Sequence, residues 1–452
     1  MSSLLKTERN KSLTTSDQIT YRTFPPHDRS TSQSSGISDS TSSYGDGLHW
    51  FGGSLIIVNA CVGAGFLSFP LAFNMAGGFA VALPLEVLTL STIFLGVMAM
   101  VCCCEWKCTF FYQDAFGEYF GPIGLHLCTF VTGAGVFTLC CTQMLAITQQ
   151  LAVVDQIVMS ALDVVGPKFS AESFHTLVAT VVIVGLMLPL CLVRTIAKLQ
   201  MASAFGSICI VFLLVSVVSE FTQDHGRLAT ARHSRGPDDV LDALLGIPVF
   251  STAYLPVATI TAVYGSLSER SMSAFVKCTG VATLIAFVFY NVIASLAYLT
   301  FGNAVQPNFL VNYSRNNWPT ALMQTSYVLK LAVKYPLMQY IGWTSINSLV
   351  ENVSLLRPAY NSYVLRVLTS IVWVALTVLV AKSVRDFSYM LLIVSVSLAQ
   401  FQLTLPGLCL VKASLSMKSR LKRLLLLAAG LGLVLAGAFI TVIVTIKEVR
   451  SL

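Results

Sequence analysis

The chain has 452 residues, of which 55% are hydrophobic and 11% charged, and its net charge is +7. This balance excludes an ordinary soluble globular protein, in which about a quarter of the residues are charged. Nucleic acid binding is also disfavoured, because the basic residues are spread over the short loops.

Residues 1–47 are rich in Ser and Thr and mixed in charge, so they bury too little apolar surface to fold alone. They read as a disordered cytosolic tail without the apolar core of a signal peptide. Nothing in the tail identifies a protein partner. Tyr21-Arg22-Thr23-Phe24 has the shape of a vesicle-sorting signal, a pattern short enough to arise by coincidence.

After the tail, about eleven apolar runs of membrane length follow one another. The first, Phe51 to Gly78, is broken by Val62-Gly63-Ala64-Gly65, which frees backbone amides and carbonyls in the middle of a span. Such groups line a cavity or bind a solute: the half-helix opening at Phe66 suits a carboxylate, and the carbonyls near Asn59 and Ala60 suit a cation or an amine. The other reading of Gly63 and Gly65 is close helix packing.

Four more spans follow, Phe79 to Cys104, Gly124 to Leu151, His175 to Val193 and Leu199 to Ser219. A polar outside connection, Glu220 to Asp239, separates them from a second set of five. These are Val240 to Leu267, Phe275 to Thr300, Thr320 to Ile341, Tyr363 to Ala381 and Phe387 to Val411, with Leu421 to Ile446 as an eleventh. The sixth span is interrupted like the first: Pro248 and Pro256 remove two backbone donors, and Ser251 and Thr252 can satisfy part of what is freed. Broken helices in matching positions of two halves point to an inverted-repeat transporter with its site at mid-membrane.

Charge inside the spans is the other signal. Lys330 and Lys334 lie one turn apart in the eighth span, on the order of 15 to 20 Å deep at about 1.5 Å per residue. An ammonium at that depth is a functional candidate, with snorkelling as the alternative, more so for Lys330. Glu86, early in the second span, reads as reaching the interface.

With the N-terminus inside, the inside segments carry roughly twice the Lys and Arg of the outside ones. The densest cluster is Lys418, Arg420, Lys422 and Arg423. Asn312-Tyr313-Ser314 is then an outside glycosylation sequon, and Asn352-Val353-Ser354 falls inside. The cysteines imply no disulfide framework, and Cys102, Cys103, Cys104 and Cys108 read as packing at a helix end.

Several stretches taken together resemble the amino acid/auxin permease family, in particular its sodium-coupled neutral amino acid transporter branch. They are Asn59 to Gly65, Phe69-Pro70, Ala76-Gly77-Gly78, Arg194 to Leu199, Tyr298 to Gly302, Tyr335-Pro336 and Pro406 to Leu410. The resemblance implies an all-α polytopic membrane protein, a five-plus-five inverted repeat with broken helices 1 and 6 and an eleventh helix. The tail would be residues 1–47, the ten-helix transport core 48–411, and the basic loop with the last helix 412–452.

It further implies transport of an amino acid, with neutral side chains expected, through a lipid bilayer, and no cofactor beyond a sodium ion or a proton as coupling ion. The substrate would lie against the unwound backbone of the two broken helices, at Cys61, Val62, Gly63, Ala64, Gly65, Phe250, Ser251, Thr252 and Tyr254. Asn59 matches the asparagine of the family's sodium site.

Two departures stand out. The run Ser251 to Val257 lacks the aromatic and cysteine-rich pattern of close relatives. Lys334 stands two residues before Pro336, where the family has a sodium-site hydroxyl. An ammonium has three donors and no acceptor, so a charged Lys334 cannot ligate sodium. The expectation is an ammonium in place of the ion, with transport independent of sodium or coupled to protons if the lysine releases its proton within the cycle. Two other functional classes compare with this reading. An amino-acid-sensing receptor with little flux fits the same binding features, and an intramembrane enzyme lacks any paired Asp, His cluster or Ser/His within the spans. The plasma membrane and a lysosome-like vesicle are equally open.

Overall fold

The computed structural model describes residues 49–107, 109, 112–162, 177–193, 196–223, 240–254, 257–269, 271–313, 318–352, 363–384 and 386–451. The Ser/Thr-rich tail lies outside these residues. So do Cys108, Arg194, Thr195, Leu255, Pro256, Ser314, Val353 and Ser354, together with most of the connection from Glu220 to Asp239.

The described chain is helical throughout. The first span is α1 (Trp50–Cys61), a 3-10 turn (Ala64–Ser68) and α2 (Phe69–Met75), bent by 58° at the break. Gly77 and Gly78 then turn the chain with φ of 75° and 115°, values an L side chain rarely adopts, and α3 (Phe79–Lys107) begins at once. The first half continues with α4 (Tyr112–Leu162, bent at Gly121-Pro122), α5 (Leu177–Cys191) and α6 (Ile196–Gln223). The second half repeats the plan. A broken pair, α7 (Val240–Ala253) and α8 (Val257–Ser266), is followed by α9 (Met272–Phe301), α10 (Trp318–Asn352), α11 (Tyr363–Ser383) and α12 (Phe387–Ser414). The last helix is α13 (Arg420–Ser451).

Local chemistry sets several of these ends. Ser271 caps α9 by accepting from the Ala274 amide at 3.1 Å, and Asp386 caps α12 by accepting from the Ser388 amide at 2.8 Å.

Seven described helices are long and apolar enough to cross a membrane, and the bent α1–α2 pair makes an eighth. The other three of the eleven expected passages are short (α5), broken (α7–α8) or carry two lysines among many polar side chains (α10). Breaks and charges are what hydropathy penalises and what a binding site requires.

The two halves meet around the broken helices. α7 packs on α2, on the 3-10 turn and on α3, and α10 packs on α4 and α6. Aromatic rings fill the space between: Phe66 stacks on Tyr290 and meets Phe309 and Tyr327 edge-on, and Phe69 meets Phe250 and Tyr254 edge-on. Each such pair contributes about 0.5–1.5 kcal/mol beyond its buried area. The break region is therefore held on all sides by large, fully buried side chains.

Candidate functional site

A helix that stops at Cys61 leaves its last carbonyls without intrahelical donors. Val62 turns away with ψ of 106° and its amide closes on Val58 O. Gly63 follows in extended backbone. The carbonyls of Asn59, Ala60, Val62 and Gly63 are met by one face of α10. The Lys330 ammonium donates to Asn59 O at 3.1 Å and to Asn59 Oδ1. The Lys334 ammonium donates to Ala60 O and, at 3.2 Å, to Val62 O. Tyr327 donates its hydroxyl proton to Gly63 O at 2.8 Å. The three residues recur at helical spacing, so one stripe of α10 meets these four carbonyls.

Both lysines are enclosed, Lys330 being 1% and Lys334 4% exposed. No carboxylate pairs with either among the described residues; their partners are neutral oxygens of α1. A charge in such a place is retained against a desolvation cost of several kcal/mol. Small residues make the room. A Cβ at Gly63 would stand 2.6 Å from Lys334 Nζ, and one at Gly206 of α6 2.7 Å from Lys330 Cδ. Gly63 thus leaves room for the Lys334 ammonium, since its own backbone conformation is open to any residue.

The snorkelling alternative for Lys330 is overturned here: its ammonium points into the break beside that of Lys334. Tyr327 was missed by the sequence reading, although counting back along the helix face from Lys334 reaches it.

The second break presents differently. Ser251 and Thr252 were expected to satisfy freed backbone, yet each hydroxyl donates within α7, Ser251 to Pro248 O at 2.8 Å and Thr252 to Val249 O at 2.7 Å. Both acceptors lie in the preceding turn of the same helix, so neither hydroxyl meets the Leu244 carbonyl that the missing amide of Pro248 frees, and the end of the helix is left to others. Tyr290 of α9 donates to Ala253 O at 3.0 Å, and the Gln402 amide of α12 donates to Tyr254 O at 3.2 Å. The two breaks touch, for a Cβ at Gly65 would be 2.9 Å from Thr252 O. Cys61, Val62, Ala64, Phe250 and Tyr254 are all buried around this junction.

Glu86 also departs from expectation. It does not reach the interface: it is fully buried in α3, where its Oε1 accepts from the Tyr254 hydroxyl and, at 3.0 Å, from the Asn291 amide. Far from this region, the amide of Asn312 donates to Ala304 O at 3.0 Å while its Oδ1 accepts from Gln306 N at 2.9 Å, so the sequon asparagine closes its own loop.

With this geometry in view, residues 46–448 match the family described as transmembrane amino acid transporter protein. The chain is 25% identical over 396 residues to the human sodium-coupled neutral amino acid transporter 7, covering 86% of this chain and 85% of that protein. It is 24% identical over 402 residues to the putative sodium-coupled neutral amino acid transporter 8 of Xenopus tropicalis, covering 87% and 91%. The fold is similar to the crystal structure of MhsT in complex with L-phenylalanine, with a TM-score of 0.53, 14% identity, and coverage of 87% of this chain and 98% of that one.

Proposed function

The chain belongs to the family of transmembrane amino acid transporter proteins, and on that premise we propose a secondary transporter in which the Lys334 ammonium takes the place that a coupling sodium ion would have. The substrate, a neutral amino acid as in the names of the relatives, would lie at the junction of the two breaks. Its α-carboxylate and α-amine would face the backbone of Cys61 to Gly65 and of Phe250, Ser251, Thr252 and Tyr254. Alternating access would then re-pair the broken helices on one side of the membrane and open them on the other.

The observation that carries this reading is the pair of lysine contacts on the α1 carbonyls. A sodium ion at such a place is coordinated by oxygens at about 2.3–2.5 Å, as hard cations are. An ammonium meets the same oxygens as a donor. Asn59, expected to ligate sodium, has its carbonyl and its side-chain oxygen on Lys330. Transport independent of sodium follows. The basic clusters favour a cytosolic N-terminus, which would place Asn312 outside as a glycosylation acceptor.

Uptake of labelled neutral amino acids into vesicles holding the purified protein, with sodium replaced by potassium, tests the proposal. Equal uptake in the two salts supports it, and uptake that requires sodium rejects it.

A further inference from the structure

Lys334 is hydrogen-bonded where a coupling ion would sit, so an ion that drives the proposed transport would bind elsewhere. One buried titratable group is left over. Glu86 is 0% exposed in α3, with both of its donors, the Tyr254 hydroxyl and the Asn291 amide, converging on Oε1. Oε2 is buried with no hydrogen-bond partner. Among the described residues no lysine, arginine or histidine pairs with this carboxyl group. A carboxylate oxygen left bare in a protein interior is costly, whereas a neutral acid with its carbonyl oxygen accepting two donors and its proton on the other oxygen is tolerated.

We propose that Glu86 is the proton-binding site of the transport cycle, protonated at Oε2 in the conformation seen here and deprotonated when α7 moves and admits water. The step is a plain proton transfer: an Oε2–H bond forms with a proton taken from water on one side of the membrane. The same bond breaks when the proton passes to water on the other side. No other bond changes.

The geometry ties this site to the moving element. Tyr254, whose hydroxyl holds Glu86, directly follows the end of α7, and its carbonyl accepts from Gln402 of α12. Proton occupancy at Glu86 therefore sets how the end of α7 is held. The groups facing Glu86 are Tyr254 from α7 and Asn291 and Tyr290 from α9, with the Cys61 thiol of α1 beyond the two tyrosines. α2, α4, α8, α12 and α13 also pack on α3, and among the described residues they bring no charged side chain to Glu86.

The inference rests on the transporter reading, and the test separates the two. Purified protein is placed in liposomes with a pH-sensitive dye inside, and a mixture of labelled neutral amino acids is added outside in sodium-free potassium buffer. Wild-type protein is expected to acidify the lumen as amino acid enters, whereas E86Q exchanges internal for external amino acid without acidification. Acidification by E86Q equal to wild type overturns the inference, and so does wild-type exchange with no acidification or with uptake that follows an alkali-cation gradient. Absence of any exchange by the wild type overturns the transporter reading as well. Y254F provides a second readout should E86Q not fold. Losing the donor to Oε1 is expected to move the pH of half-maximal uptake toward alkaline values, and an unmoved profile overturns the inference.

Discussion

The Lys334 ammonium donates to the Ala60 carbonyl, joining the middle of α10 to the last turn of α1 across the break. A second bond to Val62 O, at 3.2 Å, lets one side chain hold both edges of the interruption. From this relationship follow changes in stability and transport that differ in kind.

Gly63→Ala places a methyl carbon 2.6 Å from Lys334 Nζ. Overpacking of this sort costs about 1–3 kcal/mol, and the displaced ammonium leaves its carbonyls unpaired. The expected outcome is a lower melting temperature in detergent together with lost uptake. Lys334→Met, which removes the clashing ammonium, should make the same glycine change milder, a coupling that a double-mutant cycle on melting reads directly.

Tyr327→Phe keeps the ring against Phe66 and removes only the hydroxyl that donates to Gly63 O. The lost bond is worth about 0.5–1.5 kcal/mol. A modest drop in melting temperature with a larger loss of transport is expected, because the freed Gly63 carbonyl lies at the proposed substrate junction.

Lys330→Met and Asn59→Ala remove two ends of one interaction. Their effects on uptake should be non-additive, with a coupling of about 0.5–3 kcal/mol. Additive effects would show that Lys330 and Asn59 act separately.

Tyr290→Phe strips the donor from Ala253 O at the end of α7 while the stack on Phe66 persists. A buried carbonyl left unpaired costs about 1–3 kcal/mol. The expected result is a weaker hold on the second break, seen as faster hydrogen exchange in the Val240–Ala253 helix relative to α9.

The breaks were legible in the sequence because Gly63, Gly65 and Pro248 are local signals, and Lys334 was legible because a charge in an apolar run stands out by itself. What closes the breaks was not. Glu86 meets Tyr254 and Asn291 from 168 and 205 residues away, and such pairings have no local signature. Lys330 stood between a functional candidate and a snorkelling side chain for a related reason. α10 runs over 35 residues, from Trp318 to Asn352, longer than the span needs, so depth counted from the edge of the apolar run did not say where the ammonium pointed. Ser251 and Thr252 read as partners for groups freed by the prolines, yet in a helix a hydroxyl prefers its own preceding turn, which is where both of them donate.

The most direct measurement is a sodium titration of amino acid uptake in vesicles, wild type beside Lys334→Thr. The lysine-for-sodium account predicts a flat wild-type curve. For the threonine variant it predicts uptake that falls about 5–150-fold without sodium, as loss of 1–3 kcal/mol implies, and that sodium partly restores. A wild-type curve that rises steeply with sodium, unchanged in Lys334→Thr, would contradict it.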